Sequence, residues 1–540
     1  MLRTLSAGLI TLFLAAALPA GAASKSDPAL DAPPSGLTPT SVTLKQVLAV
    51  HDKAVGRKPN ARNTVRETWS FTDTGLSGTE DLARSGTDYH SVIRTAAFTQ
   101  EYGQAGDKRW HRGPNGFVNA TTDRDEESFF ALRVDEDAAD PKNDVTVAGE
   151  SADPAAYVLK IHVTGSRHPE WAFYEKATGN LVRFEYAVSR GRVATAFDDF
   201  RTVDGITQAW HVHDSWWDRA LDDDYRLTAF HAGMAIPPAE FAQPANSSMP
   251  QGSDVREKLP VQFAFGAAIV RVNVQGRGLD FELDSSMRES MISHDVAEEL
   301  HLDNFGHAKT DSKGRQTEYW TRIADLQVGS QHLKNFAIHT AGIQYKVSQY
   351  TKVVGVLGYD FLANYVVHVD YVNKIVELIP TKYFGSSKPI ENGLELPFEL
   401  DDGVPMVPMQ IGSTLAKNVI LNCDMPFTMV FGTFTSAHPD ELHSIFKNSQ
   451  EGSVPFADSG SFGTTIRIWP AQVDSLMFAN MNYQSLIVIA TDFPYSSPEG
   501  AEAMIGFDYL RFFDLYFDYP HNRFFVVPNK WFYTMTKKAQ

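Results

Sequence analysis

The chain of 540 residues contains one cysteine, Cys423, and fewer basic than acidic side chains. A single cysteine excludes an intramolecular disulfide, so the fold must depend on its core. The net charge of −18 repels phosphate backbones, which argues against nucleic acid as a partner. No apolar run after residue 22 is long enough to span a membrane. Metalloprotease, serine-hydrolase, phosphate-loop and dinucleotide motifs are also missing, so neither a metal nor a cofactor is predicted.

Residues 1–22 have the pattern of a secretory signal peptide. Arg3 precedes an apolar run over residues 9–18, and small residues follow at 20–22. The run is shorter than the ~20 residues that a spanning helix needs. We therefore predict an exported chain. A bacterial periplasm fits best because a disulfide framework is missing. Residues 23–40 are rich in Ser, Pro and Ala and are predicted to form a flexible leader.

Residues 41–236 are predicted to form a helix followed by a long antiparallel sheet. Thr43 and Gln46 have the spacing of a capping box, an apolar stripe follows, and Gly56 is expected to end the helix. From about residue 64 apolar and polar positions alternate between turn residues, as they do in strands. This helix-then-meander order resembles the periplasmic lipoprotein-carrier (LolA-like) fold. The resemblance implies a curved sheet, or half-barrel, around an apolar cavity.

A Pro- and Ser-rich segment, predicted as a linker over residues 237–258, precedes a pattern that occurs twice. The acidic turn that begins at Asp284 (Asp-Ser-Ser) matches the turn that begins at Asn422 (Asn-Cys-Asp). Farther on, Gly-Tyr-Asp-Phe-Leu from Gly358 matches Gly-Phe-Asp-Tyr-Leu from Gly506. The offset between the copies is nearly constant, which indicates one structural unit built twice.

The two copies span residues 259–384 and 394–533. Each is predicted to be β-rich with one short helix, which the carboxylate of Asp360 or Asp508 is expected to cap. Strand, acidic turn, strand, hairpin and an apolar-apolar-Gly sequence before a helix resemble one lobe of a retropepsin-like aspartyl protease. Two such lobes imply a mainly β, bilobal, pepsin-like domain with a cleft that takes a peptide or protein.

The resemblance implies that Asp284 is half of the catalytic pair of an aspartic-type endopeptidase. Such an enzyme needs two carboxylates about 3 Å apart that share one proton, so that one activates water while the other polarises the scissile carbonyl. Asn422 replaces the second carboxylate here, and an amide cannot accept a proton in the same way. Asp424, two residues on, is a second candidate partner. The other residues that the resemblance places at the substrate are Ser285, Ser286, Cys423, Gly358 and Gly506.

Three functions remain open from the sequence. The first is peptide cleavage that uses Asp284. The second is a monomeric pseudoprotease that binds an extended peptide by strand addition, under hairpins near residues 312–319 and 459–465. The third is binding of an apolar ligand or a lipoprotein by the N-terminal sheet, with the protease-like lobes as scaffold. The incomplete catalytic pair favours peptide binding over efficient cleavage.

Other reactive side chains have simpler interpretations. Cys423 has no histidine beside it and is interpreted as a semi-buried residue in the position of the family's threonine. His211 and His213 lack a third ligand at informative spacing, which favours surface or cavity histidines over a metal site. The aromatic cluster interpreted as core or cavity lining is Trp210, Trp216 and Trp217.

Overall fold

The computed structural model describes residues 31–56, 64–120, 130–164, 168–188, 191–216, 219, 222–246, 254–264, 266–310, 316–349, 351–384, 390–401, 403–445, 454–457, 465–492 and 500–539. The fold is mainly β, as predicted. The predicted signal peptide, Trp217 and the tips of both predicted hairpins lie outside the described residues. No helix among the described residues is long and apolar enough to cross a membrane.

The first described helix confirms the predicted start and stop signals. Helix α1 spans Leu44–Val55, and Thr43 and Gln46 form the reciprocal bonds of a capping box. Gly56 ends the helix with φ 69°, in the left-handed region where glycine has no steric cost.

Thirteen strands of the described chain form one antiparallel sheet, in the order β6-β5-β4-β3-β2-β1-β13-β12-β11-β10-β9-β8-β7. The helices α1 and α2 (Phe130–Ala139) pack on one face of it. The strands are β1 (Thr64–Asp73), β2 (Leu76–Ser85), β3 (Asp88–Thr95), β4 (Thr99–Ala105), β5 (Lys108–Arg112), β6 (Val118–Ala120), β7 (Asp144–Ala152), β8 (Ala155–His162), β9 (Glu170–Glu175), β10 (Leu181–Val188), β11 (Gly191–Val203), β12 (Ile206–Ser215) and β13 (Asp223–Ala232).

Parts of the predicted leader and linker pack against this sheet. Thr38 exchanges two backbone hydrogen bonds with Glu150, of 2.9 and 2.8 Å. Phe241 is buried, and its carbonyl accepts a hydrogen bond of 3.2 Å from Nε1 of Trp110. Thr38 of the leader and Phe241 of the linker therefore belong to the packed N-terminal region, whereas Glu257 and Lys258 at the other end of the linker lie in a strand of a different sheet.

The second half of the chain contains three further sheets. Their strands are β14 (Glu257–Pro260), β15 (Gln262–Ala264), β16 (Ala267–Val274), β17 (Arg277–Leu283), β18 (Met291–Ser293), β19 (Phe305–Thr310), β20 (Gln316–Val328), β21 (Gln331–Ala341), β22 (Tyr345–Lys346), β23 (Lys352–Leu357), β24 (Val366–Asp370), β25 (Ile375–Ile379), β26 (Leu394–Leu396), β27 (Glu399–Asp401), β28 (Val404–Ile411), β29 (Thr414–Leu421), β30 (Met429–Val430), β31 (His443–Ser444), β32 (Val454–Ala457), β33 (Thr465–Phe478), β34 (Met481–Thr491), β35 (Ala503–Ile505), β36 (Phe513–Asp518) and β37 (Arg523–Pro528). The α-helices described in the second half of the chain are α3 (His294–Glu299), α4 (Tyr359–Leu362), α5 (Gly432–Ala437), α6 (Phe507–Leu510) and α7 (Lys530–Ala539).

Two nine-stranded sheets have the same strand order. The first runs β15-β16-β17-β23-β18-β21-β20-β19, with β22 paired to β23 as its ninth strand. The second runs β27-β28-β29-β35-β30-β34-β33-β31, with β32 paired to β33 as its ninth strand. The first sheet with its helices is lobe 1, and the second is lobe 2. A six-stranded sheet, β14-β25-β24-β36-β37-β26, takes three strands from each side and joins the lobes through the antiparallel pair β24 and β36.

The prediction that Asp360 and Asp508 cap the short helices is wrong. The N-cap residues of α4 and α6 are Gly358 and Gly506, and neither helix has a side-chain cap. Asp508 does accept one bond of 3.1 Å from the N–H of Tyr509 in its own helix, but each carboxylate mainly reaches across to the loop after the acidic turn. Asp360 accepts from the backbone and hydroxyl of Ser290, and Asp508 bonds Thr428 in the same way.

The N-terminal region contacts lobe 1 directly, which the sequence did not predict. The side chain of Asn115 donates to the carboxylate of Asp360 at 2.9 Å and exchanges two bonds with the backbone of Ala337. Phe117 packs edge-on against Tyr359, with ring centroids 6.3 Å apart. This contact reaches the same carboxylate that holds the loop of lobe 1.

Candidate functional site

The two acidic turns leave equivalent strands in the two lobes. The backbone N–H of Asp284 donates to the carbonyl of Leu357 at 3.1 Å, and that of Asn422 donates to Ile505 at 3.2 Å. Asp284 Oδ1 then accepts from the backbone of Ser286 at 2.7 Å, just as Asn422 Oδ1 accepts from that of Asp424 at 2.9 Å. The predicted equivalence of Asp284 and Asn422 is therefore present in the backbone geometry.

Hydrogen bonds between the lobes hold the turns together. The hydroxyl of Ser285 donates to the carbonyl of Leu421 at 2.8 Å and accepts from the backbone N–H of Cys423 at 3.1 Å. In the opposite direction the Cys423 thiol lies 3.8 Å from the carbonyl of Leu283, a weaker bond because sulfur is a poor donor. Ser285 and Cys423 thus connect the lobes beneath the turns.

The third residues of the two turns, Ser286 and Asp424, both carry side chains that interact with the Asp284 carboxyl. The hydroxyl of Ser286 donates to Asp284 Oδ1 at 2.8 Å and accepts from the Asn422 amide at 2.9 Å. The Asp424 carboxyl comes within hydrogen-bonding reach of the Asp284 carboxyl, while its Oδ1 is enclosed without a partner. Asp284 is only 2% exposed and Asn422 is fully buried. These contacts enclose the Asp284 carboxyl between the two turns.

Burial gives the Asp284–Asp424 pair an unusual proton affinity. Burial is the main cause that raises the pKa of Asp284, and bonds from Ser286 oppose it. Burial and the nearby charges of Asp284 and Glu282 raise the pKa of Asp424 more strongly. Like charges this close are not both ionised easily, so the two carboxyls are expected to hold a proton between them to a higher pH than an exposed carboxyl does.

A third carboxyl, Glu282, was missed from the sequence. It lies two residues before Asp284 on β17, so strand alternation places both side chains on one face. The hydroxyl of Tyr345 donates to its carboxylate. Burial raises the pKa of Glu282 to about 7. The sequence did contain a signal for Glu282, because an acidic residue two positions before Asp284 is unusual in an apolar strand. Tyr345 is more than sixty residues away in the chain, so no local pattern could have predicted its contact with Glu282.

The remaining predicted site residues are enclosed. A Cβ added at Gly358 would lie 2.6 Å from the carbonyl of Met287, and one added at Gly506 would lie 2.6 Å from that of Phe427. Both glycines therefore allow close packing behind the turns. Their proposed contact with substrate, like that of Ser285, Ser286 and Cys423, stays a prediction.

The surroundings of Cys423, His211 and His213 do not favour the reactive or metal-binding roles considered for them. Burial raises the pKa of the Cys423 thiol to about 12, the opposite of what a nucleophile requires. His211 lies between Asp198 and Asp224, at 2.8 and 2.7 Å, and these bonds raise its pKa against the effect of burial. His213 lies 3.9 Å from Asp224.

The thermal unfolding midpoint is expected to be higher near pH 5 than near pH 7.5. Unfolded carboxyls titrate near about 4, whereas burial raises the pKa of Glu282 to about 7 and that of Asp284 to about 6. The folded state therefore binds more protons between these values, and stability falls as pH rises through them. Glu282→Gln is expected to flatten this decline in thermal scans. Asp280→Asn, on the same strand, is the control, and an equal slope in both variants would contradict the assignment.

No family model and no curated protein matches the sequence. Solved structures resemble parts of the fold. A LolA superfamily protein from Nitrosomonas europaea is 12% identical and covers 38% of this chain and 99% of its own, with a TM-score of 0.29. An aspartic proteinase from Irpex lacteus is 11% identical and covers 52% of this chain and 98% of its own, with a TM-score of 0.30. A retropepsin-like aspartic protease from Rickettsia conorii is 14% identical and covers 23% of this chain and 89% of its own, with a TM-score of 0.17. Similarities of this size identify no family for the chain.

Proposed function

We propose that this chain is an exported, aspartic-protease-like protein that binds an extended peptide between its lobes and cleaves it weakly or not at all. The proposal rests on the paired turns, in which Asp284 has Asn422 as its equivalent. Ser286 and Asp424 place side chains between them. Periplasmic export follows from residues 1–22 and belongs to the same proposal.

Weak hydrolysis follows from the chemistry of the pair. A peptidase of this type holds a water between two carboxyls, and one carboxylate removes its proton. The amide of Asn422 cannot do so, and Asp424 makes its contact with Asp284 directly. Loss of one acid or base group commonly costs about 10²- to 10⁴-fold in rate.

Peptide binding does not need the missing carboxyl. The bonds of Ser285 that join the two turns are present. The described sides of the two predicted hairpins pair as well, β19 with β20 in lobe 1 and β32 with β33 in lobe 2. An extended peptide placed between such lobes is bound mainly through its backbone, with side-chain pockets adding selectivity.

The test is a peptide-library experiment with the full-length protein. Bound peptides are identified after pull-down, and cleaved peptides are identified by mass spectrometry between about pH 4 and pH 7. We expect retained peptides and cleavage near background, with Asp284→Asn leaving binding unchanged. Asp280→Asn serves as the matched control because it makes the same change four residues earlier, on β17. Rapid cleavage that disappears in Asp284→Asn would show that the protein is an active peptidase.

One observation favours a second candidate, a small apolar ligand in the N-terminal region. A cavity of about 400 Å³ lies between the two helices and β7, lined in part by Leu44, Leu48 and Val145. The helix-covered face is not uniformly apolar, however, because Trp69 in that core pairs directly across from the buried Glu80. We favour the peptide proposal, and lipid found by mass spectrometry of the same purified protein would support the alternative.

A further inference from the structure

Three metal-binding side chains meet where strands of the two lobes pair. His368 and Asp370 lie on β24, and Asp514 lies on β36. His368 pairs directly across from Tyr516, which places Asp370 and Asp514 side by side on the same face. One ligand atom from each of the three residues lies within 4.8 Å of the other two. Ligands bound at about 2.1 Å to one ion lie up to about 4.2 Å apart, so small side-chain movements suffice.

The imidazole of His368 is held as metal ligands usually are. Its Nδ1 lies 3.5 Å from a carboxylate oxygen of Glu377. Arg256 binds Glu377 through two hydrogen bonds, of 2.5 and 3.1 Å. The ring also stacks on Tyr516, with centroids 4.1 Å apart. A carboxylate behind one ring nitrogen orients the imidazole and leaves the other nitrogen available to a metal.

Two enclosed atoms of this cluster have no hydrogen-bond partner in the part of the chain that the structure describes. They are Nε2 of His368 and Oδ1 of Asp514. Asp370 accepts two bonds from Asn373, of 2.8 and 2.7 Å, which fix its orientation. Buried polar atoms in proteins are nearly always paired, so two unpaired atoms beside a third ligand indicate an absent partner.

The local charge calls for a cation. Arg256 compensates Glu377, while Asp370 and Asp514 have no basic side chain among their hydrogen-bond partners. The equivalent of Asp370 in lobe 2, Asp518, is by contrast saturated by His521 and Arg523, each at 2.7 Å. Two uncompensated carboxyls beside one imidazole match the charge of a divalent ion.

We propose that His368, Asp370 and Asp514 bind one divalent transition-metal ion, with Zn²⁺ as the reference ion and water in the remaining positions. One imidazole nitrogen and two carboxylates suit such an ion better than Ca²⁺, which takes about six to eight oxygen ligands. The ligands come from β24 and β36, so the ion links the strands through which the lobes are joined. Its role is structural, and it is independent of peptide binding.

The experiment uses the full-length protein stripped with EDTA and titrated with Zn²⁺ by calorimetry. We expect one site per chain and a higher thermal unfolding midpoint in Zn²⁺. Asp514→Asn keeps the side-chain shape and is expected to weaken binding by at least about tenfold. His368→Phe keeps a ring against Tyr516 and is expected to abolish the site. With Co²⁺ as the probe, visible absorption bands should appear in the wild type and be lost in His368→Phe.

His211→Gln is the matched control, because His211 also lies between two carboxylates, those of Asp198 and Asp224. This variant is expected to bind Zn²⁺ as the wild type does. The proposal is overturned if the wild type binds no Zn²⁺, if His368→Phe binds it equally well, or if the site is lost in His211→Gln. Thermal unfolding of the metal-free variants checks that each one folds.

Discussion

Peptide hydrolysis at acid pH is expected to rise about 10²- to 10⁴-fold when Ser286→Gly, Asn422→Asp and Asp424→Gly are combined. The substitutions supply the second carboxylate and remove the two side chains that reach Asp284. The backbone already places residues 284 and 422 equivalently, with N–H bonds of 3.1 and 3.2 Å to matching strands. Initial rates on a peptide library, measured by mass spectrometry between about pH 4 and pH 6, test the prediction.

Adding Asp284→Asn to the triple variant is the control and is expected to return the rate to background. Asn422→Asp alone is expected to gain less, because Asp424 still fills the gap and the new carboxyl joins those of Glu282, Asp284 and Asp424, which are already buried there. The prediction is contradicted if the triple variant keeps the wild-type unfolding midpoint but still does not cleave peptides. The lack of a second carboxylate opposite Asp284 would then not be what limits hydrolysis. Substrate access would then be the limiting factor.

Ser285→Ala is expected to lower the free energy of unfolding by about 2 to 4 kcal/mol, since buried backbone groups that lose a partner cost about 1–3 kcal/mol each. The hydroxyl donates to the carbonyl of Leu421 and accepts from the N–H of Cys423. Ser285 is only 2% exposed, so water cannot replace these bonds easily. The alanine leaves both groups of lobe 2 without this partner. Urea unfolding followed by tryptophan fluorescence measures the change.

Cys423→Ser is the matched comparison on the other side of the junction. The thiol lies 3.8 Å from the carbonyl of Leu283, and a hydroxyl is a stronger donor than a thiol. We therefore expect this variant to unfold within about 1 kcal/mol of the wild type, or to be more stable. Equal losses in Ser285→Ala and Cys423→Ser would contradict the larger stabilisation expected from the bonds of Ser285.

The partner of Asp284 shows where sequence reasoning reached its limit. Aligning the two turns correctly matched Asp284 with Asn422, because both follow strands whose apolar positions agree. The same alignment left Asp424 only as a second candidate partner, because its register sets Asn422 opposite Asp284. The chain turns immediately after Asn422, whose Oδ1 accepts from the N–H groups of Asp424 and Met425. That turn, with Ser285 drawing the lobes together, brings Asp424 to Asp284.

The proposed metal site had no signal of its own in the sequence. His368 and Asp370 alternate on one strand, which is common on any sheet face exposed to polar surroundings. Asp514 is more than a hundred residues away and becomes their neighbour only through the pairing of β24 with β36. Tyr345 reaches Glu282 by the same kind of distant contact.

The sequence by itself determined the mainly β class, the limits of helix α1 and the equivalence of the two turns. These features depend on residues that are close together in the sequence. Polar–apolar alternation predicts strands, capping residues and glycine mark the ends of a helix, and the order of motifs shows the repeat. The tertiary structure alone decided that Asp424 meets Asp284, that Asp360 bonds Ser290 and not its own helix, and that Asn115 joins the N-terminal region to lobe 1. Such contacts join residues from different strands or lobes, so strand register and lobe packing determine them, and neither is encoded in a local pattern.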